Sequence, residues 1–288
     1  MGNLFYGMGF MPRKGEYKSG EHWFCPDCRE PVSHFSDKPE LAGMLIRRNC
    51  KCGRDRLAER GREAEADLKA KTEERRARSF GCTLEKPSKR MGFTFAKDDG
   101  RSPEATAAMK AYCANFAAHK EAGEGYIIQS AQNGSGKTFF ACAVANDLID
   151  RGYSVFVTDF LTLRGMITNP KSYKANDAKE FVEKLERYDL IVIDDMGAEN
   201  TTNYTLEGEY YITDWLIDKN IPLIVTTNYT LQELAKEENQ QKRKVFDRLL
   251  GSCGIITVNQ PSGKSRRIEK CAEITKKLTA QTGGKAVG

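Results

Sequence analysis

Three short runs of this 288-residue chain carry residue types whose spacing suits chemistry. The first is Ala131-Gln132-Asn133-Gly134-Ser135-Gly136-Lys137-Thr138, placed after an apolar run and before a helical one. Glycines let successive backbone N–H groups curl around an anion, and a helix opening at this point adds the partial positive charge of its N-terminus. In such a loop Asn133, Gly134, Ser135 and Gly136 cradle the phosphates of ATP. Lys137 reaches the β- and γ-phosphates, and Thr138 puts its hydroxyl on Mg²⁺. The usual spacing opens with glycine, where Ala131 stands here. Alanine resists positive φ, so nucleotide binding requires a negative φ at that position.

The second run, Leu190-Ile191-Val192-Ile193-Asp194-Asp195, brings two carboxylates to the end of an apolar strand. Alone, it is equally a helix cap or the start of a loop. Beside a phosphate loop it fits a site in which Asp194 holds Mg²⁺, directly or through water, and Asp195 orients or deprotonates the attacking water. Many related ATPases carry glutamate at the second place. Aspartate is one methylene shorter, which points to slow or partner-dependent hydrolysis. Val225-Thr226-Thr227-Asn228 ends another strand in an amide. Asn228 can position the γ-phosphate and the attacking water; taken by itself, it simply starts a turn.

The third run is Cys25-Pro26-Asp27-Cys28, answered by Cys50-Lys51-Cys52-Gly53. The chain has nine cysteines. In a reducing compartment, clustered thiols point to metal rather than to disulfides. Four thiolates on tight turns suit a tetrahedral Zn²⁺, and four leave no open position, so such a zinc is structural. His22 and His34 are candidate replacements for one thiolate. A redox role lacks the thioredoxin-like strand–helix setting. So short a segment buries little apolar surface, and the metal would supply its folding free energy. Cys82, Cys113, Cys142, Cys253 and Cys271 are scattered and read as ordinary thiols.

These runs need elements to hold them. The length suits one medium domain and a small one, and the apolar fraction of 40% suits a packed core. There is no apolar run of membrane-spanning length and no secretory pattern at the start, so a cytoplasmic protein without membrane partners is expected. Residues 1–53 form the zinc-binding module. Residues 54–91 form a charged linker, helical over 54–79; its mixed signs favour an exposed helix, and without a regular apolar stripe a coiled coil is not supported. Residues 92–288 form the larger domain. In it, strands at 126–129, 153–157, 190–193, 221–226 and 255–258 alternate with helices at 138–151, 160–168, 175–188 and 206–219. That alternation means an α/β fold, a central parallel sheet flanked by helices on both faces. The net charge is +5, and the excess of Lys and Arg lies in the first ninety residues. This suits an acidic partner such as nucleic acid, although solvated charged helices look the same.

Taken in order, these landmarks resemble the ATPase domain of DnaC-type helicase loaders and of the related IstB-type transposition helper ATPases, both of the AAA+ class. The landmarks begin with Gly92-Phe93-Thr94-Phe95, the phosphate loop, Ala143-Val144-Ala145-Asn146 and Gly152-Tyr153-Ser154-Val155. They continue with Asp194-Asp195-Met196-Gly197-Ala198-Glu199, Thr226-Thr227-Asn228, Asp247-Arg248-Leu249 and Ser265-Arg266-Arg267. The resemblance implies an AAA+ P-loop ATPase with Asn228 at the sensor 1 position. Arg248 would be the arginine finger reaching a neighbouring subunit's γ-phosphate, a task suited to an always-charged, bidentate guanidinium. The bland reading of Arg248 is a surface salt bridge with Asp247 or another acid. Arg267 matches the sensor 2 arginine, with Arg266 where a tyrosine is often seen. The partners implied are a hexameric replicative DNA helicase, single-stranded DNA and further copies of the chain, all in DNA replication initiation. Some loaders of this family carry an N-terminal zinc-containing domain that contacts the helicase. Two alternatives stay open. One is an IstB-like transposition helper ATPase on double-stranded DNA; the other is a zinc-containing nucleic-acid-binding adaptor with a non-hydrolysing ATP site.

Overall fold

The computed structural model describes residues 10–42, 44–168, 183–196, 203–258 and 265–281. Most of the helix expected over 175–188 lies outside them, as do Gly197, Ala198 and Glu199. The chain divides into two compact units, Met1–Lys71 and Thr72–Gly288.

In the first unit, β1 (Tyr17–Ser19) pairs antiparallel with β2 (His22–Phe24), and β3 (Ser33–Phe35) pairs antiparallel with β4 (Leu45–Arg47). The two-residue turn between β1 and β2 needs positive φ, and Gly20 supplies it at 60°. A single helix, α1 (Lys51–Ser79), follows and crosses the division between the units. It starts three residues earlier than the sequence suggests, so Cys52 lies in its first turn rather than on a tight turn of its own. The reason is an acid from elsewhere in the fold: the Glu30 carboxylate accepts the Lys51 N–H at 2.6 Å, satisfying an otherwise orphaned donor at a helix N-terminus. As expected from its missing apolar stripe, α1 is exposed along most of its length. Its last turn is tied down within the second unit, where Arg75 Nη1 donates to the Gly152 carbonyl at 2.9 Å and Arg76 pairs with Asp150.

The second unit opens with α2 (Pro103–Ala114) and α3 (Phe116–Ala122), then β5 (Gly125–Gln129), α4 (Lys137–Asp150), β6 (Val155–Asp159) and α5 (Phe160–Thr168). It continues with β7 (Leu190–Met196), α6 (Asn203–Asp218), β8 (Leu223–Thr227), α7 (Leu231–Ala235), α8 (Gln240–Leu250), β9 (Cys253–Thr257) and α9 (Arg266–Gln281). The five strands form one sheet in the order β6-β7-β8-β5-β9, and every pair is parallel. Side chains alternate between its faces, so each strand feeds two cores. Ile128, Val192 and Ile224 pack with Phe140 and Leu148 of α4 and Met109 of α2. Ile127, Ile191 and Val225 pack with Ile212 and Leu216 of α6 and Leu249 of α8. Each such side chain, fully buried, contributes roughly 1.5–3 kcal/mol.

β6 begins at Val155 rather than at Tyr153, because α4 ends in a Schellman turn. There Gly152 takes φ 96° and the Tyr153 N–H returns to the Leu148 carbonyl at 3.0 Å. β7 runs through both Asp194 and Asp195 to Met196, where the sequence suggested that the strand stops at the acids.

Candidate functional site

The carboxyl ends of β5, β7 and β8 open onto a cleft of about 860 Å³. Ligands of open α/β sheets sit in this crevice. The loop from Asn133 to Thr138 forms its floor at the head of α4. Gly134 and Gly136 take φ of 76° and 105°. A Cβ on Gly134 would displace only the rotatable Ser265 hydroxyl, so it is the backbone conformation that demands glycine there. Ala131 is not among the residues with positive φ, and alanine fits where the usual loop has glycine.

Lys137 is 8% exposed. Its Nζ donates to the carbonyls of Ser130 and Gln132, each at 3.2 Å. Burial holds its ammonium group below the ordinary lysine pKa; Arg267 adds to this, and Asp195 and Asp194 oppose it. Ser135 Oγ is buried in the same loop without a hydrogen-bond partner. A loop with a buried cation and an unsatisfied buried hydroxyl fits an anion bound at the helix N-terminus.

Asp194 is the centre of the polar network, 3% exposed. Its Oδ1 accepts the Thr138 hydroxyl at 2.9 Å and the Thr226 hydroxyl at 2.6 Å, while Oδ2 accepts Arg90 Nη2 at 3.0 Å. The Thr138 hydroxyl and a carboxylate in contact are an oxygen donor set suited to Mg²⁺. Asp195 follows in the left-handed region at φ 61°, where aspartate is one of the few residues tolerated. The pairing of β7 with β8 slips between Ile193 and Met196. Strict alternation would send neighbouring side chains to opposite faces; the bulge allows both carboxylates to line one cleft. The Thr226 oxygen accepts the Asp195 N–H at 2.8 Å, so one buried hydroxyl ties down both acids. Asn228 Nδ2 stands 3.4 Å from Asp195 Oδ1 in the same cleft.

Arg266 and Arg267 enter from the first turn of α9. Arg267 lines the cleft. Arg266 forms a two-pronged pair with Asp99, at 2.6 and 2.7 Å, and donates to the Ser135 carbonyl of the phosphate loop. The Arg266 guanidinium holds the Asp99 carboxyl down at a pKa of about 2. Arg248 is not brought to this cleft. It lies on α8, and its Nε meets Asp214 Oδ1 at 2.5 Å on the surface. The acid beside it is Asp214, from α6, rather than its neighbour Asp247.

Sequence reasoning passed over Thr226, Arg90 and the pairing of Asp99 with Arg266. Thr226 was visible only as part of the Thr-Thr-Asn landmark. Arg90 carries no signal among the many basic residues of its segment.

In the first unit, the Sγ atoms of Cys25, Cys28, Cys50 and Cys52 all lie within 4.8 Å of one another. Tetrahedral zinc with bonds of about 2.3 Å requires sulfurs roughly 3.8 Å apart, so the cluster fits. Arg29, at φ 58°, closes the Cys25–Cys28 turn by returning its N–H to the Cys25 carbonyl. Backbone N–H groups of Glu30 and Cys52 draw the Cys28 thiol down to a pKa of about 6, while burial pushes Cys50 up. His22 and His34 do not join the four-sulfur group.

Residues 114–271 match a family described as IstB-like ATP binding protein. The replicative helicase loader DnaC of Escherichia coli K12 is 26% identical over 141 residues, which is 49% of this chain and 56% of that one. The replicative helicase loader DnaI of Bacillus subtilis is 22% identical over 191 residues, 62% of this chain and 59% of that one. This chain therefore spans little more than half the length of the curated relatives it matches. The crystal structure of the DnaC helicase loader superposes with a TM-score of 0.52 at 19% identity, covering 60% of this chain and all of that one; the two share a fold. With the family match extending over more than half of its residues, this chain belongs to the IstB-like ATP binding proteins.

Proposed function

We propose that this protein is an ATPase that loads a replicative DNA helicase onto single-stranded DNA. The observation that carries the reading is Asp194, held between Thr138 and Thr226 beside buried Lys137 at the head of α4. Lys137, Ser135 and the loop N–H groups would bind the ATP phosphates, and Thr138 and Asp194 would hold Mg²⁺. Asp195, oriented by its bulge and by Asn228, would position the attacking water. Arg267 would contact the γ-phosphate from the same chain. Arg248 would leave Asp214 to serve a neighbouring copy's site. Residues 92–288 would be the ATPase domain, self-associating through that contact, and 54–91 the linker. Residues 1–53 would be a zinc-held module, with Cys25, Cys28, Cys50 and Cys52 as ligands, that docks on the helicase. The setting is cytoplasmic, in replication initiation.

A second reading, a transposition helper acting on double-stranded DNA, draws support from the family matched over 114–271. One experiment separates the two. ATP hydrolysis is measured with single- or double-stranded DNA, and proteins captured with the full chain from its native cell are identified. Stimulation by single strands with capture of a hexameric helicase supports the loader. Stimulation by duplex with capture of a transposase would overturn it.

A further inference from the structure

Arg90 lies on a short 3₁₀ turn, Lys89–Gly92, whose backbone is gripped from inside the fold. Asn146 of α4, 1% exposed, donates its amide to the carbonyls of Arg90 and Phe93 at 3.1 and 2.8 Å, and Ser88 Oγ accepts the Arg90 N–H at 3.3 Å. From this fixed base the guanidinium reaches into the cleft to Asp194 Oδ2. The carboxylate is buried and needs a counter-cation, because a buried charge is stable only when paired. Lys137 donates to the Ser130 and Gln132 carbonyls and acts on Asp194 only through space, whereas Arg90 meets the carboxylate directly. Arg90 therefore holds the carboxylate oxygen that both threonine hydroxyls leave free. A divalent cation at the same carboxylate meets a guanidinium of like charge a few ångströms away, in a partly desolvated cleft where repulsion is poorly screened.

We propose that Arg90 is a positioning residue of the metal site: its guanidinium and Mg²⁺ are alternative partners of Asp194, so Arg90 sets the magnesium requirement for nucleotide binding. In the protein without metal, Arg90 neutralises Asp194 and keeps the carboxylate in place between Thr138 and Thr226. When Mg²⁺ arrives with a nucleotide, the guanidinium gives up Oδ2. It is 36% exposed and lines the same cleft, so it has room to turn toward the incoming phosphates. The inference rests on the nucleotide reading above, and its test is a binding measurement rather than an activity.

A fluorescent ATP analogue is titrated into the full chain in EDTA and at rising Mg²⁺. The magnesium concentration giving half-maximal binding is compared between wild type and Arg90→Gln. Loss of one competing charge from a site of this kind lowers that midpoint by about tenfold or more. Arg90→Lys, which keeps the charge, stays nearer to wild type. In an Asp194→Asn background, where the two cations no longer share a partner, Arg90→Gln shifts nothing. Should Arg90→Gln not fold, Arg90→Met provides the same uncharged comparison with a stem that packs like that of arginine. A midpoint unchanged or raised in a folded variant would overturn the proposal. So would an equal loss of affinity with and without Mg²⁺, which marks Arg90 as a phosphate ligand only. A wild-type protein that binds no ATP under any condition would remove the nucleotide reading and this inference with it, whereas binding with a midpoint indifferent to Arg90 removes the inference alone.

Discussion

Thr226→Val is the most informative single change in the cleft. Valine keeps the β-branched shape and the preferred rotamer, so the strand and its packing are preserved while the hydroxyl is lost. Thr226 is 1% exposed and makes two bonds through that oxygen, donating to Asp194 Oδ1 at 2.6 Å and accepting the Asp195 N–H at 2.8 Å. The bond to a carboxylate contributes about 1.5–3 kcal/mol and the neutral one about 1 kcal/mol. The substitution should therefore destabilise the second unit by roughly 2–4 kcal/mol. The chain has two tryptophans, one in each unit, so this can be read cleanly: in a Trp23→Phe background, urea unfolding followed by fluorescence reports Trp215 in α6. Hydrolysis should suffer more than ATP affinity, because Asp195 loses the tether that keeps it at φ 61°. Thr226→Ser, which retains the hydroxyl, should recover most of both. A Thr226→Val protein within about 0.5 kcal/mol of wild type, hydrolysing ATP normally, would refute the reasoning that this hydroxyl organises the acids.

Lys137→Ala should abolish ATP binding in a direct titration while the fold persists, and unchanged affinity would sink the phosphate-loop reading. Burial holds the Lys137 pKa below its ordinary value, whereas a bound triphosphate favours the charged ammonium. ATP binding should therefore take up protons, increasingly so as pH rises toward the ordinary lysine pKa, seen as a calorimetric heat that depends on the buffer's ionisation enthalpy; a buffer-independent heat under those alkaline conditions would count against the role. The four-sulfur cluster should hold about one zinc per chain in freshly purified, reduced protein, and a strong chelator should unfold residues 10–50 first. Elemental analysis without metal would dismiss it. Arg248→Ala should keep ATP affinity but lose hydrolysis by about 10³-fold or more, and mixing it with Lys137→Ala protein should restore some activity. If the mixture stays inactive and wild-type turnover does not depend on concentration, Arg248 is only the surface partner of Asp214.

Much of the site was legible because it is local. A phosphate loop depends on consecutive backbone conformations, so Gly134, Gly136, Lys137 and Thr138 carry it in a short stretch of sequence. The paired cysteines declare themselves by spacing. The parallel sheet follows from apolar runs alternating with helices, each strand long enough to be read and buried on both faces. What escaped depends on distant partners. The early start of α1 needs Glu30, 21 residues upstream of Lys51. The Asp194–Asp195 bulge depends on how β7 pairs with β8, and no local pattern encodes a slip in register. Thr138 meets Asp194 across 56 residues, Arg90 meets it across 104, and Arg266 meets Asp99 across 167. Residue types and their spacing thus determined by themselves which groups could bind phosphate, magnesium and zinc, because those preferences reside in single side chains and short turns. Only the tertiary structure decided which cation stands against Asp194, which of two adjacent arginines grips the phosphate loop, and which acid holds Arg248. Such pairings are set by the packing of elements far apart in the chain, where many basic residues are chemically equal and only position selects one.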